Sequence, residues 1–362
     1  MPRDLHTGAV AYALQEKGHE PVSWYGSDFP GRQTISIDPL ADSRHAVTIA
    51  DRAGAIVRSK AYDAVWHRRP GPPVPPEGLH AGDSILVKKE SEALIDSLWY
   101  FLADRAFWVN PRSGVERASC KALQLREAAR CGFAVPKTLM SNDPAQVRDF
   151  FRACNGDVVY KLQLPAWWDT GNGGLASAFT ARLSSRHLED DAIRNCPAIF
   201  QERVRKAFEL RITCMGDTFV AVKLNSQESD RGKTDWRVAD AVKGLAQEPF
   251  SLPRDVERAC RRLLERLGIV FACIDVVVTP DGDYVFLEVN EGGQFLWLEE
   301  RVPDLRMLDI FSEFIASGDP DFVYSDQRSG KSVALSDFAE EAWIEQEREV
   351  HVEPAITGTV PD

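Results

Sequence analysis

Apolar and polar positions repeat along this chain with two periods, and the changes between them mark out its elements. From Ile269 to Glu300 the sequence reads IVFACIDVVVTPDGDYVFLEVNEGGQFLWLEE. Two apolar runs, Val270 to Thr279 and Tyr284 to Asn290, flank Pro280-Asp281-Gly282-Asp283. Asp-Gly between β-branched runs predicts an antiparallel hairpin. A turn centred on Asp281-Gly282 pairs Thr279 with Tyr284, and counting outward sets Asp275 opposite Glu288, with the two carboxylates roughly 5 Å apart on one face. Asn290 shares that face, because side chains in a strand repeat every second residue. The neighbours Phe271, Ile274, Val276, Phe286 and Leu287 are apolar on both sides, which predicts a covered strand rather than a solvated one. Like charges set opposite each other destabilise a sheet unless something offsets them. A hard cation would, since Mg²⁺ takes one or two carboxylates and leaves positions for phosphate oxygens.

The rest of the chain reads as alternating strands and helices. Thr7 to Gly18 is helical in pattern; Pro21 to Tyr25, Thr34 to Ile37 and Tyr62 to His67 are strand-like. The last leads into Arg68-Arg69-Pro70, a pair that either clamps an anion or is simply solvated, and a proline-rich loop from Gly71 to Pro76. Ser91 to Phe107 carries a helical stripe at Leu94, Leu98, Phe101 and Leu102. Glu116 to Cys131 is a helix stopped by Gly132, and Ala134 to Met140 a strand. Asp143-Pro144 caps a helix closed by Asn155-Gly156. Asp157 to Leu162 is a strand carrying Lys161, followed by the glycine-rich loop DTGNGG, Asp169 to Gly174, a weak phosphate-loop signal without Walker spacing. Ile199 to Val204, Phe208 to Met215 and Thr218 to Asn225 are strands. Asp255 to Leu267 is the clearest helix, with Val256, Ala259, Cys260, Leu263, Leu264 and Leu267 in one stripe and Gly268 beyond. The tail from Gly318 is polar; Leu335 to Val350 reads either as a surface helix or as an interaction segment.

Composition narrows the class. The chain has 362 residues, 44% hydrophobic and 27% charged, with a formal net charge of -12. That length predicts two or three subdomains, and the acidic balance argues against a nucleic-acid partner. The 7 cysteines are odd in number and scattered without C-x-x-C spacing, the usage of a reducing compartment. No apolar run approaches a membrane span and the start lacks a signal core, so no membrane role and a cytoplasmic location are expected. Lys161, Arg211 and Lys223 interrupt apolar strands, where an unpartnered charge is costly. A metal-bound triphosphate held at Asp275, Glu288 and Asn290 would give all three a partner.

The order of motifs resembles the ATP-grasp ligases from about residue 7 to 315. Lys121 opens a helix ending in Gly132-Phe133-Ala134-Val135-Pro136-Lys137-Thr138, Lys161 lies on a strand, Gln201-Glu202 precede ELR at 209 to 211, and the hairpin ends in E-x-N at Glu288 and Asn290. WHRRP at 66 to 70, FWVNP at 107 to 111, KALQLREA at 121 to 128, SNDP at 141 to 144, FQERV at 200 to 204, DWR at 235 to 237 and FLEVNEGGQFLWLE at 286 to 299 narrow the resemblance to the microviridin-type maturases of graspetides.

The resemblance implies an α/β ATP-grasp fold of α+β subdomains behind an N-terminal α/β pre-ATP-grasp domain. The divisions expected are 1–115, a central subdomain 116–198, a C-terminal subdomain 199–318 with the hairpin, and an acidic tail 319–362. It implies ATP and Mg²⁺ as cofactors and a precursor peptide, leader and core, as partner, with a homodimer left open. Lys121 and Lys161 would contact ATP phosphates; Gln201, Glu202 and Val204 would form the adenine hinge, and Glu209 would lie near the ribose or phosphates. Lys223 belongs with these nucleotide contacts. Arg211 would face the transferring phosphoryl group and Arg237 the acyl-phosphate, while Asp275, Glu288 and Asn290 would hold Mg²⁺. The loop DTGNGG is richer in glycine than that subfamily leads one to expect. A leader would dock at Lys206 to Phe208 or at Arg231 to Arg237. The expected reaction joins Asp or Glu side chains of the peptide to Ser or Thr hydroxyls or Lys amines. Two alternatives stand beside it: an intermolecular ligase that adds an amino acid to a protein or metabolite, and a nucleotide-binding regulator without turnover. His67 is a candidate base for the hydroxyl, though a structural role is the more ordinary one for it.

Overall fold

The computed structural model describes residues 4–42, 46–51, 54–58, 62–69, 71–103, 105–163, 167–169, 175–177, 180–228, 236, 245–325 and 330–352. The chain divides into two compact units: Met1–Pro111 with Met215–Thr218 and Gln294–Pro354, and Arg112–Cys214 with Phe219–Gly293 and Ala355–Asp362. Segment 294–354 therefore folds with the amino-terminal unit. The four-part division drawn from motif order stays a proposal, and its 199–318 part crosses from one unit to the other. No helix among the described residues is long and apolar enough to cross a membrane.

In the first unit, Thr34–Ile37, Val47–Asp51 and Gly54–Arg58 form an antiparallel sheet, and Ala64–Trp66 pairs in parallel with Phe107–Val109. A parallel pair needs a crossover, and the helix Ala81–Phe101 supplies it. This helix starts ten residues before the sequence pattern places it, because its first turns carry apolar residues that stay outside the core. Pro21 to Tyr25, expected as a strand, is irregular and runs into a turn of 3-10 helix at Gly26–Asp28. The core gathers Ile49, Leu98 and Leu102. Rings join it to the chain's later part: Trp66 meets Phe311 at 4.8 Å and Phe107 meets Phe314 at 5.5 Å. The tail segment, read as a surface helix or an interaction segment, is helical over Glu340–Val350. It docks on the helix Leu5–Glu16, with the Trp343 ring so close to Gly8 that a Cβ there would come within 2.5 Å of it. Asp28 then holds His351 at 2.6 Å and accepts from the Val352 backbone N–H at 2.8 Å.

Arg68 is neither an anion clamp nor solvated. It is buried against Asp4, its Nε 3.2 Å from either carboxylate oxygen, with its guanidinium over the Trp66 ring. His6, buried beside them, accepts the backbone N–H groups of Phe295 and Leu296 at Nε2, at 2.9 and 3.1 Å. An acceptor nitrogen carries no proton. Burial and the nearby Arg68 and Arg69 charges push the His6 pKa down to about 4, against the opposing pull of Asp4.

The second unit holds two sheets. One is antiparallel, in the order Ala181–Arg182, Val158–Lys161, Ala198–Glu202, Thr138–Ser141, packed on the helices Pro144–Ala153 and Asp190–Asn195. The other has five strands in the order Gln247–Phe250, Thr218–Leu224, Phe208–Met215, Phe271–Val278, Tyr284–Asn290. The helix Arg254–Leu267 covers it with the six-residue apolar stripe read from the sequence, and ends at Gly268 in the left-handed conformation, φ 72°. The helix expected over Glu116 to Cys131 is two, Arg112–Ser119 and Lys121–Cys131, broken at Cys120. The first crosses the Gly268 turn so closely that a Cβ on Gly114 would lie 2.0 Å from the Gly268 carbonyl oxygen.

An unfolded histidine binds a proton below its ordinary value of 6.5, whereas His6 in the folded protein does so only below about 4. Between those values the unfolded chain holds more protons, so stability falls as pH drops from about 6.5 towards 4. The loss attributable to His6 is about 3 kcal/mol. Urea unfolding across that range should show this slope in the wild type, and H6Q should show a flatter one.

Candidate active site

The hairpin Phe271–Val278 and Tyr284–Asn290 sets Asp275 opposite Glu288 and Cys273 opposite Asn290. The route differs from a plain count from the turn. Val278, not Thr279, faces Tyr284, and a bulge next to Asp275 leaves Leu287 unpaired, restoring the Asp275–Glu288 register. A bulge inserts one residue and resets the side-chain alternation of its strand. Phe286 and Val289, three residues apart, thus both enter the core under the helix Arg254–Leu267, together with Ile274, Val276 and Val278. Glu288 and Asn290 are left on the face of Asp275.

On that face the charges are paired. The central strand Phe208–Met215 alternates: Leu210, Ile212 and Cys214 enter the core, while Glu209, Arg211 and Thr213 are buried on the other side. Arg211 Nη1 donates to both oxygens of Asp275, at 3.0 and 2.9 Å. Burial disfavours the Arg211 charge, but the Asp275 and Glu288 carboxylates more than offset this, and its pKa lies above the usual arginine value. Asn290 Nδ2 donates to Asp275 at 3.3 Å, and Lys121, at the start of its helix, donates to Glu288 at 2.8 Å. Two carboxylates and an amide oxygen form a hard-oxygen set suited to Mg²⁺. Among the described residues no group of three or more His, Cys, Asp or Glu is placed to hold a metal ion.

The other expected residues fall into separate contacts. Lys161 donates to Gln201 Oε1 at 2.7 Å, and Gln201 in turn donates to Thr138 at 3.0 Å, making a polar chain across the four-stranded sheet. Glu202 meets Lys137 at 3.5 Å, and Val204 follows it, half-buried, beyond the strand end. Glu209 is paired with Lys206 at 3.0 Å, both side chains buried, so Lys206 does not offer a solvent-facing charge to a leader segment. Lys223 does not join the group. Strand alternation sends it to the face of Phe219 and Ala221, over the Phe208 ring and 3.4 Å from Glu248. His67 packs edge-on to Trp99 in the first unit. Arg237, the stretch 231–235 and loop residues 170–174 lie outside the described residues; the loop is flanked by the antiparallel pair Trp167–Asp169 and Leu175–Ser177.

Sequence reasoning missed Gln124. Its side chain, 1% exposed, lies against the outer edge of the hairpin, accepting from the Val289 N–H at 3.1 Å and donating to the Val289 carbonyl at 2.9 Å. It does for this edge strand what a neighbouring strand would. Ala134 accepts the Phe286 N–H at 2.9 Å on the same edge. The available signal was a polar residue on the buried stripe Gln124, Ala128, Cys131 of an otherwise ordinary helix. Thr138 and Lys206, which hold Gln201 and Glu209, carried no comparable mark.

No protein-family model and no curated protein matches this sequence. Solved structures do. The chain is similar to the macrocyclase MdnC from Microcystis aeruginosa MRC bound with precursor peptide MdnA, with 26% identity, TM-score 0.74 and coverage of 87% of this chain and 96% of that one. It is similar to the Chryseobacterium gregarium RiPP-associated ATP-grasp ligase in complex with ADP and a leader and core peptide, with 25% identity, TM-score 0.78, and 91% and 96% coverage. A third is the macrocyclase MdnB from Microcystis aeruginosa MRC, with 26% identity, TM-score 0.70, and 86% and 95% coverage.

Replacing Gln124 with Met keeps bulk and apolar contact but strands two buried backbone groups of Val289. The expected loss is about 1–3 kcal/mol, read as a lower urea midpoint. Hydrogen exchange at the Val289 amide should accelerate by a similar free energy; an unchanged amide would refute the clamp.

Proposed function

We propose, from a chain that is an ATP-grasp ligase similar to the ribosomal-peptide maturases, that it activates Asp or Glu side chains of a precursor peptide and closes macrocycles on them. The observation that carries this reading is the face on which the buried Arg211 and Asp275 meet the half-buried Asn290, Glu288 and Lys121. A carboxylate is a poor electrophile until an oxygen is made a leaving group. In the proposed reaction that oxygen takes the γ-phosphoryl group of ATP, releasing ADP. A Ser or Thr hydroxyl or a Lys amine then attacks the acyl carbon, the C–O bond to phosphate breaks, and the nucleophile gives up its proton.

The residues fit a divalent cation. Both carboxylates are hard-oxygen ligands, and each oxygen has two lone pairs, so Asp275 accepts Arg211 without losing its capacity for a metal. Asn290 directs its Nδ2 at Asp275; to ligate beside it, the amide turns over and presents Oδ1, the same side chain in its flipped assignment. Mg²⁺ held there would bind phosphate oxygens and screen the charge developing on the transferred group.

The chain's own groups do the remaining work. Arg211, fixed by Asp275 and permanently charged, faces the phosphoryl group and offsets its charge without reorganising. Lys121 exchanges Glu288 for a phosphate oxygen when the nucleotide enters, which frees Glu288 for the cation. Lys161 reaches the phosphates from the other sheet, steered by Gln201, while Gln201, Glu202 and Val204 line the adenine. Arg237 is assigned to the acyl-phosphate. The peptide is the partner we assign, in a reducing, cytoplasmic compartment, the setting that scattered cysteines without C-x-x-C spacing suit.

The direct test is the intact mass of a candidate precursor peptide after incubation with enzyme, ATP and Mg²⁺. One water lost per bond, with ADP formed in step, is the expected result. A mass gain of an amino acid would indicate an intermolecular ligase instead. E288Q should lose product by at least about 100-fold, and full activity in that variant would remove Glu288 from the metal set.

A further inference from the structure

Buried glutamines in this chain have both ends of the carboxamide engaged. Gln33 accepts from the Trp24 indole N–H at 2.9 Å and donates to Asp28 at 3.3 Å, Gln124 grips Val289, and Gln201 joins Lys161 to Thr138. Gln247 departs from this pattern. The residue is half-buried, yet its Oε1 and Nε2 are both shut away from solvent, and neither has a hydrogen-bond partner among the described residues. A buried polar group left unpaired costs free energy, and native chains keep few of them.

The register fixes which way this amide faces. Gln247–Phe250 is an edge strand of the five-stranded sheet, and Gln247 pairs with Leu224. Its neighbour Glu248 meets Lys223 and Asn225, on the face covered by the helix Arg254–Leu267. Strand alternation therefore turns Gln247 to the opposite face, with the buried Val222 and Leu224. That is the face of Arg211 and Asp275. Two strand spacings, about 10 Å, separate Gln247 across the sheet from the strand of Arg211.

We propose that Gln247 binds the substrate, its carboxamide taking one main-chain peptide unit of the precursor core beside the Asp or Glu that reacts at Arg211. This rests on the macrocyclase reading above and deepens it. A carboxamide offers an acceptor oxygen and donor N–H groups, the complement of the N–H and C=O of a peptide unit, as Gln124 already displays on Val289. Ionised phosphate and carboxylate only accept, and would leave Oε1 unpaired. A contact to main chain holds the core without reading its side chains, so the residue that reacts is set by its spacing along the peptide.

The measurement takes two readouts on the full chain, wild type against Q247M, in which a thioether of similar length replaces the amide. In the free enzyme Q247M should raise the urea midpoint, because no hydrogen bond is lost and two stranded polar atoms are removed. In steady-state kinetics with the candidate precursor peptide, ATP and Mg²⁺, the same variant should raise the peptide KM about 10- to 30-fold, the cost of two hydrogen bonds. Its kcat and its KM for ATP should stay close to the wild type. Greater stability with weaker hold on the peptide is a combination that a purely structural glutamine does not give. A midpoint at or below that of the wild type overturns the inference, since the amide is then paired in the free enzyme. A wild-type peptide KM overturns it too, and a rise confined to the KM for ATP overturns it in favour of a nucleotide contact. Wild-type enzyme that closes no ring on the precursor removes the function proposed above and this inference with it, whereas ring closure with an unchanged Q247M profile removes this inference alone.

Discussion

The buried pair of Arg211 and Asp275 sets the terms for the second unit. Removing two charges from water costs more than their attraction commonly returns, so this pair is not what holds the five-stranded sheet together. The sheet is stabilised from its other face, where Leu210, Ile212, Ile274, Val276, Val278, Phe286 and Val289 pack beneath the helix Arg254–Leu267. That asymmetry permits Glu209, Arg211 and Asp275 to be buried side by side on the second face. The charges are matched one to one, Arg211 with Asp275 and Lys121 with Glu288, which leaves the face close to neutral.

The hairpin was legible from its sequence, but by two displacements that cancel. Counting from Asp281-Gly282 puts Thr279 opposite Tyr284, whereas Val278 takes that place, and the bulge at Leu287 returns the missing residue. The pair that matters, Asp275 with Glu288, is the same either way. A bulge has no composition of its own here; its trace is that Phe286 and Val289 both require the core, which strict alternation forbids. The apolar stripe of the helix Arg254–Leu267 and the Asp143 cap were legible because each follows from one local rule, periodicity in the first and N–H satisfaction in the second.

What was not legible depended on partners distant in the chain. The helix Ala81–Phe101 was read from Ser91 to Phe107, ten residues late at its start because its outer apolar residues have no core to define a period against, and six too far at its end, where Phe107 opens a strand. Lys223 looked like Arg211, a cation on an apolar strand, but the face each occupies follows from register, and register places Lys223 with Phe219 and Glu248. Arg68 looked solvated or anion-binding because its partner, Asp4, is 64 residues earlier. A single sequence carries the cost of each buried charge but not the address of the group that meets it.

Two side chains hold the backbone on either side of Glu291-Gly292-Gly293-Gln294, the segment that leaves the hairpin. Before it, Gln124 grips both backbone groups of Val289. After it, His6 accepts the N–H groups of Phe295 and Leu296. Between them the segment runs so close to the neighbouring strand that a Cβ on Gly293 would lie 2.5 Å from that of Cys273. The two anchors differ in kind. A primary amide is donor and acceptor at every pH of interest, whereas His6 can accept only while unprotonated. The anchor on the side of Glu288 and Asn290 is therefore insensitive to pH, and acid acts first on the segment beyond the glycines. Holding the strand Tyr284–Asn290 by an amide rather than an imidazole keeps the spacing of Asp275 and Glu288 independent of any change in the protonation of its anchor.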